Sequence, residues 1–540
     1  MTTEINVPED GEKHYRIIDF LLIFTTLSTL VKCSKCDGKI EFQSCRMEGL
    51  GFEIQIKCDN CKMAVFIPSS EKIGRMYEVN YRFTFVMRLL GLGLAGCDKF
   101  CGLMDLSSNF VSKSVYNLYI KNMCEKIQSV VKRLYSMAAA QEKNETCKEN
   151  ELQDTTNLTV SGDGMWQKRG FSSLYGVSSL IGYYTGKVLD ICVKSGICQK
   201  CKIWESKLNT VEFEEWHKNH VEFGECEANH VGPAGNMEVS AMIEMFQRSE
   251  ENHGVKYKYY IGDGDSKMYT GVIQSQPYGE DFIIHKKECV GHVQKRMGKR
   301  LPGQTRRSKS LSGKGKLTAK IIDKLTVYYG LAIRRNCESV IKMNDAIWAT
   351  FFHYKSTDED PQHDKCPAGA DSWCDYQKAL ATTGVQDFQH KYEPFPDEVI
   401  KAIEPIYQDL SKDELLQRCV GGFNQNNNES LNQLIWRISP KILSSSPTII
   451  EIAANVAACT FNEGYIALLA FLQEMKISVG LSAHHYVRNF DKSRISKAEE
   501  KAALVTKEAR ILKRMEQKDA LDIAKAAGTL LYGAGIDDSM

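Results

Sequence analysis

Three acid-bearing segments spaced far apart along the chain constrain its fold more than any other feature. Each puts a carboxylate where a regular element ends or begins. Leu158–Trp166 reads LTVSGDGMW, a β-branched run carrying Asp163 at its end. Tyr257–Ser266 reads YKYYIGDGDS and repeats the grammar with Asp263 and Asp265. Asn426–Asn432 reads NNNESLN, a polar opening to a helical pattern that carries Glu429. Two strand-end aspartates and one helix-borne glutamate suit two-metal phosphoryl transfer. Carboxylate oxygens are hard ligands for Mg²⁺ or Mn²⁺, and two ions about 3.5–4 Å apart can hold both the attacking and the leaving oxygen. Singly the segments are bland. Gly-Asp-Gly is a common turn, and Asn-rich openings are usually helix caps. Asp263 directly follows its apolar run and is the preferred second ligand, with Asp265 kept beside it.

At 540 residues the chain has room for several domains and a large core. Its net charge of +1 rules out global polyelectrolyte character. Charge is nonetheless concentrated: Lys286 to Lys320 holds twelve Lys or Arg and one acid, Glu288. A solvated loop and a nuclear import signal are the plain readings of such a run. Its place just after the second acid-bearing strand favours a phosphate-contacting arm, with Lys295, Arg296, Lys299, Arg300, Arg306 and Arg307 as DNA-binding candidates. No stretch approaches the eighteen apolar residues of a membrane span. Acids precede the apolar run Ile17 to Val31 and Asp19 interrupts it, so an amphipathic helix fits better than a secretory signal. An intracellular, nuclear protein is expected.

Nineteen cysteines in a reducing compartment point to metal sites rather than disulfides. Cys33, Cys36, Cys58 and Cys61 form two Cys-x-x-Cys pairs, and the residues between them read as strands. Four thiolates so spaced can surround one tetrahedral Zn²⁺. A second candidate zinc group is Cys198, Cys201 and Cys226 with a histidine from His217, His220 and His230, of which His220 is preferred. A third is His353, His363, Cys366 and Cys374 in a Pro/Gly-rich loop. Cys289 and His292 lack two further ligands nearby, so a zinc reading is weak, and taken as isolated residues they read as packing elements.

Along the chain, 1–75 reads as a helix plus a zinc-ribbon-like module and 76–150 as accessory helices, with a polar run from Ala140 to Thr156 that reads as a linker or an exposed helix end. Residues 151–270 carry β-rich grammar: strands at Leu158 to Ser161, Ser172 to Gly182 and Lys187 to Lys194, a helix at Glu238 to Arg248, and a strand at Tyr257 to Gly262. Residues 271–425 turn mainly helical around the basic segment and the Cys/His loop. Residues 426–490 return to core with Glu429, and 491–540 read as a solvated helical tail.

In this order, Asp163, Gly262–Ser266 (GDGDS), Cys289-x-x-His292, Ser372–Cys374 (SWC) and Asn426–Asn432 (NNNESLN) make the chain resemble a Mutator-like DDE transposase of the animal type, from Tyr15 to about Gly464. The resemblance implies an α/β fold, with an RNase H-like catalytic core interrupted by a long, mainly helical insertion. It further implies Mg²⁺ or Mn²⁺ on Asp163, Asp263 or Asp265, and Glu429, with Cys289 and His292 beside them. Double-stranded DNA at transposon ends and targets would be the substrate, acted on by a homo-oligomer. A host-retained DNA-binding protein that no longer cuts is one alternative, although all three acid positions are filled. Another RNase H-like nuclease is a second, disfavoured by the long interval before Glu429 and by the Cys-x-x-His.

Overall fold

The computed structural model describes residues 5–62, 64–168, 173–264, 266–370, 372–386, 388–390, 393–442 and 445–503. Asp265 lies outside them. Packing divides the chain into two compact units: Leu30–Asn462, and a second built from the described residues of Met1–Thr29 and Glu463–Met540. Helix α1 (Phe20–Leu30) is apolar, and none of its residues is buried. Strands β1 (Ile40–Glu48), β2 (Gly51–Cys58) and β3 (Ala64–Pro68) form an antiparallel sheet in that order. A two-stranded ribbon, β4 (Lys72–Ile73) with β5 (Met76–Tyr77), leads into helices α2 (Glu78–Leu89), α3 (Leu94–Leu103) and α4 (Lys113–Glu149).

The long α4 takes in the polar run from Ala140 as its C-terminal part. The polar run stays helical to Glu149 because one of its acids has internal work. Glu142 is fully buried and accepts hydrogen bonds from the backbone N–H groups of Tyr184 and Thr185, at 2.9 and 2.8 Å, and from the Thr185 hydroxyl. It thereby closes a hairpin turn whose donors would otherwise be orphaned.

That hairpin belongs to the central sheet, made of β6 (Asn157–Trp166), β7 (Tyr175–Gly182), β8 (Val188–Ser195), β9 (Lys256–Gly262) and β10 (His285–Glu288). The spatial order is β10-β9-β6-β7-β8. β6, β7 and β8 pair antiparallel, whereas β9 runs parallel to β6 and β10 parallel to β9. The apolar runs Leu158 to Val160 and Tyr257 to Ile261 are buried strands, as their β-branched and aromatic content requires. Between β8 and β9 lie short α5 (Gln199–Ile203), then α6 (Val211–Glu222), α7 (Met237–Gln247) and α8 (Ser249–His253), and α9 (Ser266–Gln274) joins β9 to β10. One face of β6 is stripped to glycine so that α7 can approach. A Cβ at Gly162 would meet the Tyr260 ring at 2.6 Å, and one at Gly164 the Glu238 side chain at the same distance.

The basic stretch folds into β10 and then α10 (Val290–Arg307) rather than a loop. Val290, Val293, Met297 and Leu301 recur every three or four residues and are buried, so the cations occupy the remaining faces of an amphipathic helix. They pack into a second core with α11 (Ala319–Arg335), α12 (Val340–Lys355), α14 (Asp397–Leu410) and α15 (Asp413–Cys419). Short α13 (Asp375–Thr382) lies between α12 and α14 in sequence. The chain then returns to the central sheet through α16 (Asn426–Ile438) and α17 (Pro447–Glu463). In the second unit α18 (Ile466–Glu474) buries Ala467 to Leu472, and α19 (Leu481–Ala503) supplies Asp491, which accepts from the Tyr465 N–H at 2.9 Å. No helix among the described residues is long and apolar enough to cross a membrane.

Candidate carboxylate centre and Cys/His groups

Strand register brings two of the acids together. Ser161 lies opposite Ile261 in the parallel β6–β9 pair, and Asp163 and Asp263 each stand two residues further on. Asp263 immediately follows β9, whereas Asp163, expected at a strand end, lies within β6 opposite Ser179 of β7, because the β6–β7 pairing runs on to Trp166. Burial, with the like charge of Asp263 added, raises the Asp163 carboxyl to about 6, although Asn432 and His292 pull the other way. Two carboxyls in one partly buried corner favour any cation that can share them.

The third acid arrives on α16, which is fastened to β6 by amide side chains. Gln425, nearly fully buried, donates through Nε2 to the Gly162 carbonyl at 2.7 Å. Asn428, fully buried, accepts from the Ser161 hydroxyl at 2.7 Å. Asn432 donates through Nδ2 to Asp163 Oδ2 at 2.8 Å. These residues follow one helix face, so α16 docks edge-on to the strand that carries Asp163. Glu429 sits in the first turn of the helix, more than half exposed, with Lys295 Nζ 3.6 Å from its Oε1. The three carboxylates are not drawn into one cluster of ligand atoms within 4.8 Å, as the Cys/His groups are. A divalent pair has a fitting place here all the same. The corner offers hard oxygen donors, and Asn432 Oδ1 is buried beside Asp163 without a hydrogen-bond partner.

Cys289 caps α10, and its thiol is held below its usual value by the hydrogen bond to His292, against the opposing effect of burial. The same bond raises His292. His292 Nδ1 lies 2.9 Å from Gln425 Oε1. Because the Gln425 amide nitrogen is committed to Gly162, its oxygen faces the ring and Nδ1 must carry the proton. Cys289, His292, Gln425 and Gly162 thus form one chain from α10 to the Asp163 strand. Gln425 was missed by the sequence reading, and its only sequence signal was its place next to the Asn run.

Of the six basic candidates, three are engaged by acids of the chain itself. Lys295 meets Glu429, Arg296 donates to buried Glu288 at 2.6 Å, and Arg300 pairs with Asp409. Lys299, Arg306 and Arg307 stand exposed along α10. Trp166 donates through Nε1 to the Ala234 carbonyl at 2.9 Å, a packing role.

Among the described residues, three Cys/His groups do have their ligand atoms within 4.8 Å of one another. In Cys33–Cys36–Cys58–Cys61, Sγ atoms are 3.8 Å apart for Cys33 and Cys61, 3.6 Å for Cys36 and Cys58, and 3.0 Å for Cys36 and Cys61. A tetrahedron with Zn–S bonds of about 2.3 Å has edges of about 3.8 Å, so the set fits zinc. Backbone N–H groups, that of Lys35 foremost, hold Cys33 down to about 7, while the neighbouring Cys36 thiol leads in pushing Cys61 up to about 12. In the second group the histidine is His220, buried, with Nε2 3.3 Å from Cys198 Sγ, and Cys201 lies 3.7 Å from Cys226. His230 instead has Nε2 3.3 Å from the Pro233 carbonyl. In the third, His363 Nδ1 is 3.5 Å from Cys374 Sγ and 3.8 Å from Cys366 Sγ, and His353 completes the set.

Residues 14–374, about two thirds of the chain, match the family model for Mutator-like transposases, and the chain belongs to that family. Membership carries a transposase role and with it the handling of DNA. The matched residues include Asp163, Asp263, Cys289, His292 and all three Cys/His groups, whereas Glu429 lies beyond them. No curated protein and no solved structure matches the chain.

Proposed function

We propose that the chain is a DDE transposase that hydrolyses phosphodiesters at transposon ends and joins the freed ends to target DNA in the nucleus. The observation that carries this reading is the juxtaposition of Asp163 and Asp263 on neighbouring parallel strands, with the Glu429 helix fastened to the first of them. The strand order, three antiparallel strands with two more added parallel to the first, supports an RNase H-like core for the sheet. The helices from α10 to α15 are then its insertion.

When bound, a pair of Mg²⁺ or Mn²⁺ ions would neutralise phosphate charge and lower the pKa of the attacking water. Asp163 and Asp263 would hold these ions, and Glu429 would be the third ligand, its carboxylate now paired with Lys295. Water attacks the phosphorus, the P–O3′ bond breaks, and the liberated 3′-OH is the nucleophile for the next phosphodiester. No covalent protein intermediate is needed. Asn432 keeps Asp163 oriented, and the Gln425–His292–Cys289 chain fixes α10 against the site. Lys299, Arg306 and Arg307 provide exposed cations for backbone phosphates. Zinc in the three Cys/His groups is structural.

The engagement of Glu429 by Lys295 favours a second reading, a retained DNA-binding protein that does not cut. Cleavage and joining assays on DNA bearing the repeats that flank its own locus separate the two. Metal-dependent products that vanish in Asp163→Asn and Glu429→Gln support the transposase. DNA binding without products, unaltered by either change, supports the binding protein.

A further inference from the structure

Two residues outside the expected zinc ligands stand behind His363. Its Nδ1 faces the Cys366 and Cys374 sulfurs, and its opposite nitrogen, Nε2, lies 2.8 Å from Nε2 of His390. His390 Nδ1 in turn lies 2.5 Å from Asp358 Oδ1, and the same carboxylate oxygen accepts from the His390 backbone N–H at 2.8 Å. Both imidazoles are buried: His363 is 2% exposed, and the His390 side chain 5%. The His363 ring is also stacked on Tyr376, with centroids 4.5 Å apart, so its plane is fixed.

We infer that Asp358 and His390 form a positioning relay that dedicates Nδ1 of His363 to a zinc ion held with His353, Cys366 and Cys374. The inference rests on the zinc reading of this third group. Its logic follows the protons. An ionised carboxylate only accepts, so His390 must present Nδ1–H to Asp358. Neutral His390 then has a lone pair at Nε2, which accepts Nε2–H from His363. That leaves His363 with an unprotonated Nδ1 directed at the two sulfurs, the form a dication requires. The Ser356 hydroxyl, 3.0 Å from His363 Nε2, adds a second acceptor for the same proton. Partners of this kind orient a ligating histidine and raise its basicity, and losing them costs about 10–100-fold in metal affinity.

The relay also ties together pieces that have little core of their own. His353 is on α12, Asp358 and His363 follow it, Cys374 caps α13, and His390 lies beyond that helix. Among the described residues there, Cys366 and Cys374 form a small buried cluster with Ala349, against which Tyr376 packs. The segment is therefore stapled by ligands, and the relay sets the strength of one staple.

The test measures metal retention in the full-length protein. Purified wild type, Asp358→Leu, His390→Phe and His390→Gln are dialysed against chelators of graded strength, and zinc per chain is counted. Cobalt-substituted samples supply the visible spectrum. The relay predicts that His390→Phe and Asp358→Leu lose one zinc per chain at about 10–100-fold weaker chelation, with the other two retained. Part of the cobalt absorption disappears with it. His390→Gln, whose amide oxygen can still accept from His363, stays close to wild type. Equal retention and equal spectra in all four proteins would overturn the relay while leaving the zinc reading intact. Wild-type protein with no zinc beyond the first two groups would overturn that reading and the relay with it.

Discussion

The Cys/His groups and the carboxylate corner are both assembled from separated residues, yet they close in opposite ways. Each Cys/His group brings its donors within 4.8 Å, inside stretches of at most 29 residues, and keeps soft donors that suit one tetrahedral ion. The carboxylate corner joins residues hundreds of positions apart, and its third acid is still turned to Lys295. The first arrangement is complete from protein atoms alone. The second keeps an open side, the form that the proposed two-metal reading requires for substrate oxygens to finish the coordination. A closed donor set suits a structural ion, whereas an open one suits the proposed reaction.

The largest expected effect that would sharpen this contrast comes from stripping zinc. Structural zinc contributes on the order of 10 kcal/mol to a small module. Strong chelation, or Cys58→Ser, should therefore unfold 33–68 while β6 to β9 keep their protection, as hydrogen exchange would report. Loss of protection across both regions together would break the distinction.

Asp163→Asn should act in the opposite sense. With its carboxyl raised to about 6 in the fold, Asp163 binds an extra proton between about pH 4 and 6 relative to the unfolded chain. Its contribution to stability is full below that window and is lost as pH rises through it. In metal-free protein at pH 7.5 the asparagine variant should gain up to about 3 kcal/mol, and the gain should vanish below pH 4. Chemical denaturation across that range checks both the sign and the window. Cleavage should be abolished by the same change.

Gln425→Ala removes one bond to Gly162 and one to His292, and should cost about 1–2 kcal/mol. Tyr260 still donates to the Gly162 carbonyl at 3.1 Å, which limits the loss. Turnover should fall further than stability accounts for, because Glu429 and His292 lose a shared support. The smallest effect belongs to Lys295→Ala. A half-exposed pair contributes under about 1 kcal/mol to stability, so melting should barely move. Mn²⁺ binding should tighten a few-fold, because a cation that competes for Glu429 is gone. Weaker Mn²⁺ binding would show Lys295 to be part of the site's support instead.

How far the sequence disclosed this arrangement depends on the range of the forces involved. The strands around Asp163 and Asp263 were legible from their buried β-branched and aromatic runs, and each Cys/His group from ligand spacing. Helix α10 was not, because twelve cations in the surrounding segment outweighed the four apolar residues that set its period. Glu142 misled in the same way. It lies in a polar run that reads as a linker or an exposed helix end, yet its partners are backbone N–H groups some forty residues away. The fastening of α16 escaped notice because amides before a helix usually cap it. Here they reach a strand more than 260 residues earlier in the chain, and no local pattern encodes that.

The central claim is that Asp163, Asp263 and Glu429 hold divalent ions against the scissile phosphate. The most direct test replaces a non-bridging oxygen of that phosphate with sulfur and compares cleavage in Mg²⁺ and in the more thiophilic Mn²⁺. Soft sulfur ligates Mg²⁺ poorly. One diastereomer should therefore stall in Mg²⁺ and recover in Mn²⁺, and recovery should be lost in Asp163→Asn. Equal rates for both diastereomers in both ions would contradict a metal contact at the phosphate and, with it, the assignment of the three acids.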